Sequence, residues 1–347
     1  MFDLNGQTVG FDRENNALVI LDQTRLPNDE VILSLKSREE IYTAIKELKL
    51  RGAPCIGVSV AIALAVLSNE SKAETEERLF SEFQSNSDYL VSSRPTAVNL
   101  KWAADEMKKA LFICKGQPLD IIKKALSDKA CEILENDIAV CRAIGEYGAK
   151  VLEKTDAILT HCNAGRLACV KYGTALSPVY IAAEQGHKIK VYADETRPLL
   201  QGARLTAYEL TSAGIDTTVV CDNMSSYIMR KGLVGAVLVG ADRIARNGDT
   251  ANKIGTSSLA IVAKHYGIPF YVLAPKSTLD GNCESGNDIV IEMRDENEIS
   301  EMWYEKRMTP KGAKALNPAF DVTDASLITA FITEKGIIKP DEIKNML

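Results

Sequence analysis

The spacing of apolar positions changes character near residue 155. Upstream, short strand-like runs (TVGFD, ALVILD, EVILSL) mix with helical patterns. Residues 38–50 carry apolar positions at helical spacing and end at Arg51-Gly52-Ala53-Pro54, where glycine caps a helix and proline stops its simple continuation. The most apolar stretch, CIGVSVAIALAVL from Cys55 to Leu67, predicts a buried helix, shorter than the roughly 20 residues a bilayer requires. An amphipathic pattern from about Ser127 to Glu153 predicts a connecting helix.

From Asp156 the pattern becomes regular. AILTHC precedes a helical stretch through Glu184, then KIKVYADE and a helix from about Gly202 to Ala213. DTTVVCD leads to a helix near Met224–Arg230, GAVLVGAD to one beginning near Asn252, and PFYVLAP follows. Short β-branched runs alternating with helices are the pattern of βαβ units around a parallel sheet. The expected fold is therefore α/β: a C-terminal Rossmann-like domain over residues 155–347 and a smaller N-terminal α+β domain over 1–125. A connecting helix over 126–154 joins them. No strand is followed by the G-x-G-x-x-G fingerprint of dinucleotide binders, and no cofactor is expected.

Composition narrows the function classes. A chain of 347 residues suggests two domains, and a net charge of −6 without a basic cluster argues against nucleic acid as the main partner. The N-terminus lacks the basic start and apolar stretch of a signal peptide, which points to a cytoplasmic protein with no membrane partner. Eight cysteines without a CxxC pair read as reduced thiols. The only sequence-adjacent Cys–His pair, His161-Cys162, would face opposite sides of a strand, so no metal is expected.

Ligands of open α/β sheets bind beyond the carboxyl ends of the strands. Those ends carry Cys162-Asn163-Ala164-Gly165, Asp194-Glu195-Thr196-Arg197-Pro198 with Gln201-Gly202, Cys221-Asp222-Asn223, Asp242-Arg243 with Asn252-Lys253, and Lys276. Each alone reads as a cap or turn; together they bring a thiol, carboxylates, amides and cations to one edge. Cys162 just before a helix would feel its positive end, and Asp242 after AVLVGA would be raised by burial. In the first domain, Arg51-Gly52-Ala53-Pro54 and Ser93-Arg94-Pro95-Thr96 put an arginine beside backbone suited to holding a phosphate, or simply in a surface turn.

Seven ordered segments, LDQTRLP, RGAPCIG, RPTAVNL, LTHCNAG, DETRPLLQGARLTAYEL, GADRIARNGDTANKIGT and NPAFDVT, resemble the methylthioribose-1-phosphate isomerase family. The wider group includes ribose-1,5-bisphosphate isomerases and regulatory subunits of a translation-initiation exchange factor. The resemblance implies isomerisation of 5-methylthioribose 1-phosphate to 5-methylthioribulose 1-phosphate in methionine salvage, by a homodimer acting on a small sugar phosphate. It implies Cys162 and Asp242 as the catalytic pair, and Arg51, Gly52, Ala53, Arg94, Gln201, Asn252 and Lys253 as ligand contacts. Arg166, Cys55 and Leu199 depart from the family pattern without touching the pair. The alternatives are 5-deoxyribose 1-phosphate or ribose 1,5-bisphosphate as substrate, and a non-catalytic subunit sensing sugar phosphate or nucleotide.

Overall fold

The computed structural model describes residues 3–94 and 97–346; Pro95 and Thr96 of the second arginine turn lie outside the described residues. Two compact units emerge, Met1–Cys141 with Arg166–Gly173, and Arg142–Gly165 with Thr174–Leu347.

The first unit opens with an antiparallel sheet, β1 (Val9–Asp12), β2 (Ala17–Leu21) and β3 (Ile32–Leu35), in that spatial order. Helices α1 (Arg38–Lys46), α2 (Ala53–Glu70), α3 (Glu76–Val91) and α4 (Val98–Ile113) follow. A capping box of Ser37 and Glu40 starts α1, and the Thr75 side chain caps α3, each satisfying first-turn N–H groups. At 18 residues α2 outruns the apolar stretch that predicted it, and by length and composition it could cross a bilayer. Instead 13 of those residues are buried, because α3, α4 and the sheet surround it; a helix apolar on all sides belongs in a core. The long helix α5 spans Leu119–Leu152, and the division between the units falls inside it.

The second unit contains β4 (Ala157–Thr160), α6 (Ser177–Glu184), β5 (Lys190–Asp194), α7 (Ala207–Ser212), β6 (Thr217–Val220), α8 (Ser225–Arg230) and β7 (Ala236–Val239). It continues with β8 (Arg243–Ile244), β9 (Thr250–Lys253), α9 (Thr256–Tyr266), β10 (Phe270–Leu273), β11 (Phe320–Thr323), β12 (Ala330–Thr333) and β13 (Gly336–Ile338). The main sheet runs β13-β12-β10-β7-β4-β5-β6, parallel except for β13 at one edge. Strand β7 is buried throughout, as expected of a parallel strand covered on both faces. The Rossmann-like sheet and the smaller α+β region expected from the pattern are both present. A second, antiparallel sheet of order β11-β9-β8 was not expected.

Two predicted helices start later than expected, although the first ends at Glu184 as the pattern implied. No helix begins after Cys162: the chain makes a single 3-10 turn at Arg166–Ala168, and α6 starts only at Ser177. The apolar residues that suggested a helix are used elsewhere, since Val170 is buried in the core of the first unit. Nor does a helix begin at Asn252. Asn252 and Lys253 belong to β9, paired with Asp321 and Phe320 of β11, and α9 begins after Gly255.

Because Ile62 lies at the centre of α2 with no exposed surface, Ile62→Ala is expected to lower the unfolding free energy by about 2–5 kcal/mol. Urea denaturation followed by circular dichroism reads this out as a lower midpoint at unchanged slope.

Candidate active site

From β4 the chain moves outward in one direction through β5 and β6, and from β7 in the other through β10 and β12. The reversal lies between the adjacent strands β4 and β7, where a crevice opens beyond the carboxyl ends of a doubly wound sheet. Cys162 follows β4 and Asp242 follows β7, one on each side of that reversal. Their loops meet: a Cβ on Gly240 would stand 2.8 Å from the Ala164 side chain. The Asp242 N–H donates to the Ala251 carbonyl (2.9 Å), tying this loop to β9 and so to Asn252 and Lys253.

Cys162 is half-buried and has φ +64°. A non-glycine residue in the left-handed region costs about 1–3 kcal/mol and needs surroundings that enforce it. Here two threonine hydroxyls do so. The Cys162 N–H donates to Thr196 Oγ1 (2.8 Å), and Thr206 Oγ1 donates to the Cys162 carbonyl (2.6 Å). Thr196 has φ +66°, an unfavourable state for a β-branched residue. The Asp222 carboxylate compensates by accepting the Thr196 N–H and the Arg197 N–H, both at 2.7 Å.

Thr206 ends a short π-helical turn, Gly202–Thr206, that precedes α7. Only glycine allows that turn to sit where it does: a Cβ at Gly202 would lie 1.6 Å from the Asp194 carbonyl oxygen. On the far side of Cys162, the Asn163 side chain donates to Thr206 Oγ1 (3.1 Å) and to the Glu209 carboxylate, which also accepts from Tyr180 (2.9 Å). Cys162 is thus displayed by a fully hydrogen-bonded loop instead of by a helix terminus, which corrects the dipole argument made from sequence.

His161 points the other way, into the protein. Its Nε2 faces the Ile254 carbonyl (2.8 Å) and must carry a hydrogen, because a carbonyl only accepts. Its Nδ1 lies 3.0 Å from Asp194 Oδ2, with both side chains almost inaccessible. Burial works against the imidazolium, but the Asp194 hydrogen bond and charge, with Asp222 and the Ile254 carbonyl, outweigh it and raise the His161 pKa. Burial pushes Asp194 up to about 6 against the pull of His161. The donor atoms of His161, Asp194 and Asp222 lie within 4.8 Å of one another. A metal set they are not suited to be, since both imidazole nitrogens and both Asp222 oxygens already serve hydrogen bonds.

The remaining candidates fall as follows. Gln201 is buried, and its Oε1 has no hydrogen-bond partner among the described residues. Asn252 is buried beside Thr256 (3.1 Å), while the Lys253 ammonium caps the Ala319 carbonyl (2.9 Å) over the Phe320 ring. Asp242 is exposed, so the burial expected to perturb its carboxyl is missing, because the residue stands beyond the apolar strand and at the loop surface. In the first unit, Arg51, Gly52 and Ala53 form the turn into α2, with Gly52 at the cap (φ 90°). Arg94 accepts, through its carbonyl, the Ala97 N–H ahead of α4 (3.0 Å).

Sequence reasoning missed Thr196, Thr206, Glu209 and Asp222 as supports of Cys162. It also missed Asp321, whose carboxylate accepts the Gly255 and Ser257 N–H groups at 2.8 and 3.1 Å and caps α9. DETRP and NPAFDVT contain two of these, but nothing in linear spacing says what they bond.

A doubly wound sheet with a constrained thiol and a carboxylate flanking its switch point defines an α/β protein built to act on a small ligand. The chain belongs to the Initiation factor 2 subunit family, whose model matches residues 49–340. It is 54% identical to the methylthioribose-1-phosphate isomerase of Symbiobacterium thermophilum, across 96% of this chain and 93% of that protein. It is also 54% identical to the 5-deoxyribose 1-phosphate isomerase of Petrotoga mobilis, across 93% of each. The crystal structure of 5-methylthioribose 1-phosphate isomerase from Pyrococcus horikoshii superposes with a TM-score of 0.93 at 40% identity, covering 98% of this chain and 94% of that one.

Thr196→Val keeps the shape but removes the acceptor of the Cys162 N–H. A loss of about 1–3 kcal/mol in unfolding free energy is expected, with a fall in turnover; unchanged values would show that the clamp is not needed. Asp194, with a folded pKa near 6 against an ordinary 3.8, contributes stability that is present below 3.8 and lost as pH rises through 6. The stability of the wild type relative to Asp194→Asn should therefore fall between about pH 4 and about pH 6 in urea titrations.

Proposed function

We propose that the protein is an aldose–ketose isomerase that converts 5-methylthioribose 1-phosphate into 5-methylthioribulose 1-phosphate, in the cytoplasm and as a homodimer. The single observation behind this reading is Cys162, held in the left-handed conformation at the switch point with the Asp242 loop against its own. The names of the similar proteins support it.

The reaction dictates what the site must supply. The anomeric oxygen carries the phosphate, so the ring opens by breaking the bond between C1 and the ring oxygen, and the ring oxygen needs a proton. The hydrogen on C2 must reach C1, and the 2-hydroxyl must lose its proton as the carbonyl forms. We assign the thiol of Cys162 as the acid at the ring oxygen and the carboxylate of Asp242 as the base on the C2 side. In that position the carboxylate takes the 2-hydroxyl proton as the C2 carbonyl forms. The C2 hydrogen then migrates as hydride to the electron-poor C1. In the second unit Gln201, Asn252 and Lys253 are our candidates for the hydroxyls and the phosphate. In the first, Arg51 with Gly52 and Ala53, and Arg94, are candidates for phosphate, on charge and on the family resemblance.

A second reading is favoured by the Petrotoga relative: 5-deoxyribose 1-phosphate as an additional substrate. It lacks only the methylthio group, and a missing apolar group in a pocket is worth about 1–3 kcal/mol.

Incubation of the purified protein with each sugar phosphate, followed by NMR, should show the ketose. Cys162→Ala and Asp242→Asn should each lower kcat by about 100-fold or more; wild-type turnover in either would remove that residue from the pair. In D2O the product should carry no deuterium at C1. Deuterium there would replace hydride migration with proton abstraction through an enolate.

A further inference from the structure

Within the first unit, the fold assembles a second set of sulfur and oxygen donors that the isomerisation does not use. Asp137 and Cys141 lie four residues apart on α5, hence on one face of the helix. Cys169 comes from the loop after the 3-10 turn Arg166–Ala168. One donor atom from each, a carboxylate oxygen and two sulfurs, lie within 4.8 Å of one another.

We propose that Asp137, Cys141 and Cys169 form a binding site for a single zinc-class divalent cation in the first unit. Two thiolates and one carboxylate suit zinc, whereas magnesium and calcium require oxygen donors. Sulfurs at about 2.3 Å from a tetrahedral zinc lie roughly 3.8 Å apart, so from a spacing within 4.8 Å the two sulfurs need to approach by about 1 Å at most. Three protein donors leave the fourth tetrahedral position to water.

The site is built, not incidental. Cys141 and Cys169 are 2% and 1% exposed. The Val170 N–H donates to Asp137 Oδ2 (2.8 Å), fixing the carboxylate as an outer hydrogen bond fixes a metal ligand. The Cys169 loop is fastened by Thr8 Oγ1 to the Arg166 carbonyl (2.8 Å) and by Gln23 Nε2 to the Leu167 carbonyl (2.7 Å). Burial also pushes the Asp137 carboxyl up to about 6 against the pull of Val170, a cost that a bound dication would reverse. Binding would knit α5 to this loop, whose Ala168 backbone lies against Gly52, next to Arg51.

The test uses the reduced, full-length protein, stripped with a chelator and titrated with cobalt(II) and then zinc(II). One equivalent of cobalt should produce thiolate-to-metal charge-transfer absorption and tetrahedral visible bands. Zinc should displace it stoichiometrically, and the melting temperature should rise on loading because only the folded chain presents the set. Cys141→Ser and Asp137→Asn should each weaken binding by tenfold or more, while Cys162→Ala should leave the spectrum intact. Should Cys141→Ser fail to fold, the isosteric Asp137→Asn, which keeps an oxygen for the Val170 N–H, carries the same readout. Absence of thiolate–cobalt absorption in the wild type overturns the proposal. So does an unchanged spectrum in Asp137→Asn, or its loss in Cys162→Ala.

Discussion

The peptide groups on either side of Cys162 are pinned by two threonine hydroxyls, Thr196 on the N–H and Thr206 on the carbonyl. A left-handed backbone at a cysteine costs about 1–3 kcal/mol, and two well-made hydrogen bonds return about 1 kcal/mol each. The conformation is thus nearly balanced by its own clamp and depends on everything that holds the threonines in place. Asp222 holds Thr196 by its backbone, and Thr196 itself bonds the Asp194 carbonyl at the end of β5 (3.0 Å). The π turn and the missing Cβ of Gly202 bring Thr206 within reach. The display of one thiol therefore draws on three neighbouring strands and one irregular helix.

His161 extends the same network to the other side of the sheet's edge. By bonding Asp194 and the Ile254 carbonyl together, it couples the end of β5 to the turn between β9 and α9. Asp321 reinforces that turn from β11, satisfying the first N–H groups of α9 where Gly255 offers no side chain. The small antiparallel sheet thereby carries Asn252 and Lys253 at fixed positions relative to the parallel one. Burying a shared proton between His161 and Asp194 makes this coupling sensitive to pH, since both groups hold protons more tightly folded than unfolded.

Alternation of apolar runs and helical patterns made the parallel sheet legible from Asp156 onward, because buried parallel strands need apolar residues on both faces. The same rule places Cys162, Asp194, Asp222 and Asp242 at strand ends from the sequence alone. It failed where an apolar residue serves a different unit. Val170 looked like part of a helix after Cys162, yet it is buried in the first unit's core, and the segment around it makes only one 3-10 turn. Asn252 and Lys253 looked like a helix start because nothing in their own stretch reveals the distant partner β11.

By itself, then, the sequence determined the class of fold, the edge on which polar groups gather and, through seven ordered segments, the family. Those depend on local periodicity and on residue identity, which a linear chain carries in full. Tertiary structure alone decided that β4 and β7 are neighbours across the reversal, that Cys162 is held left-handed by hydroxyls 34 and 44 residues away, and that Asp242 is exposed. It also decided that Asp137 and Cys141 meet Cys169. Such contacts close loops of tens of residues, and their geometry is set by packing between elements instead of by any pattern within one.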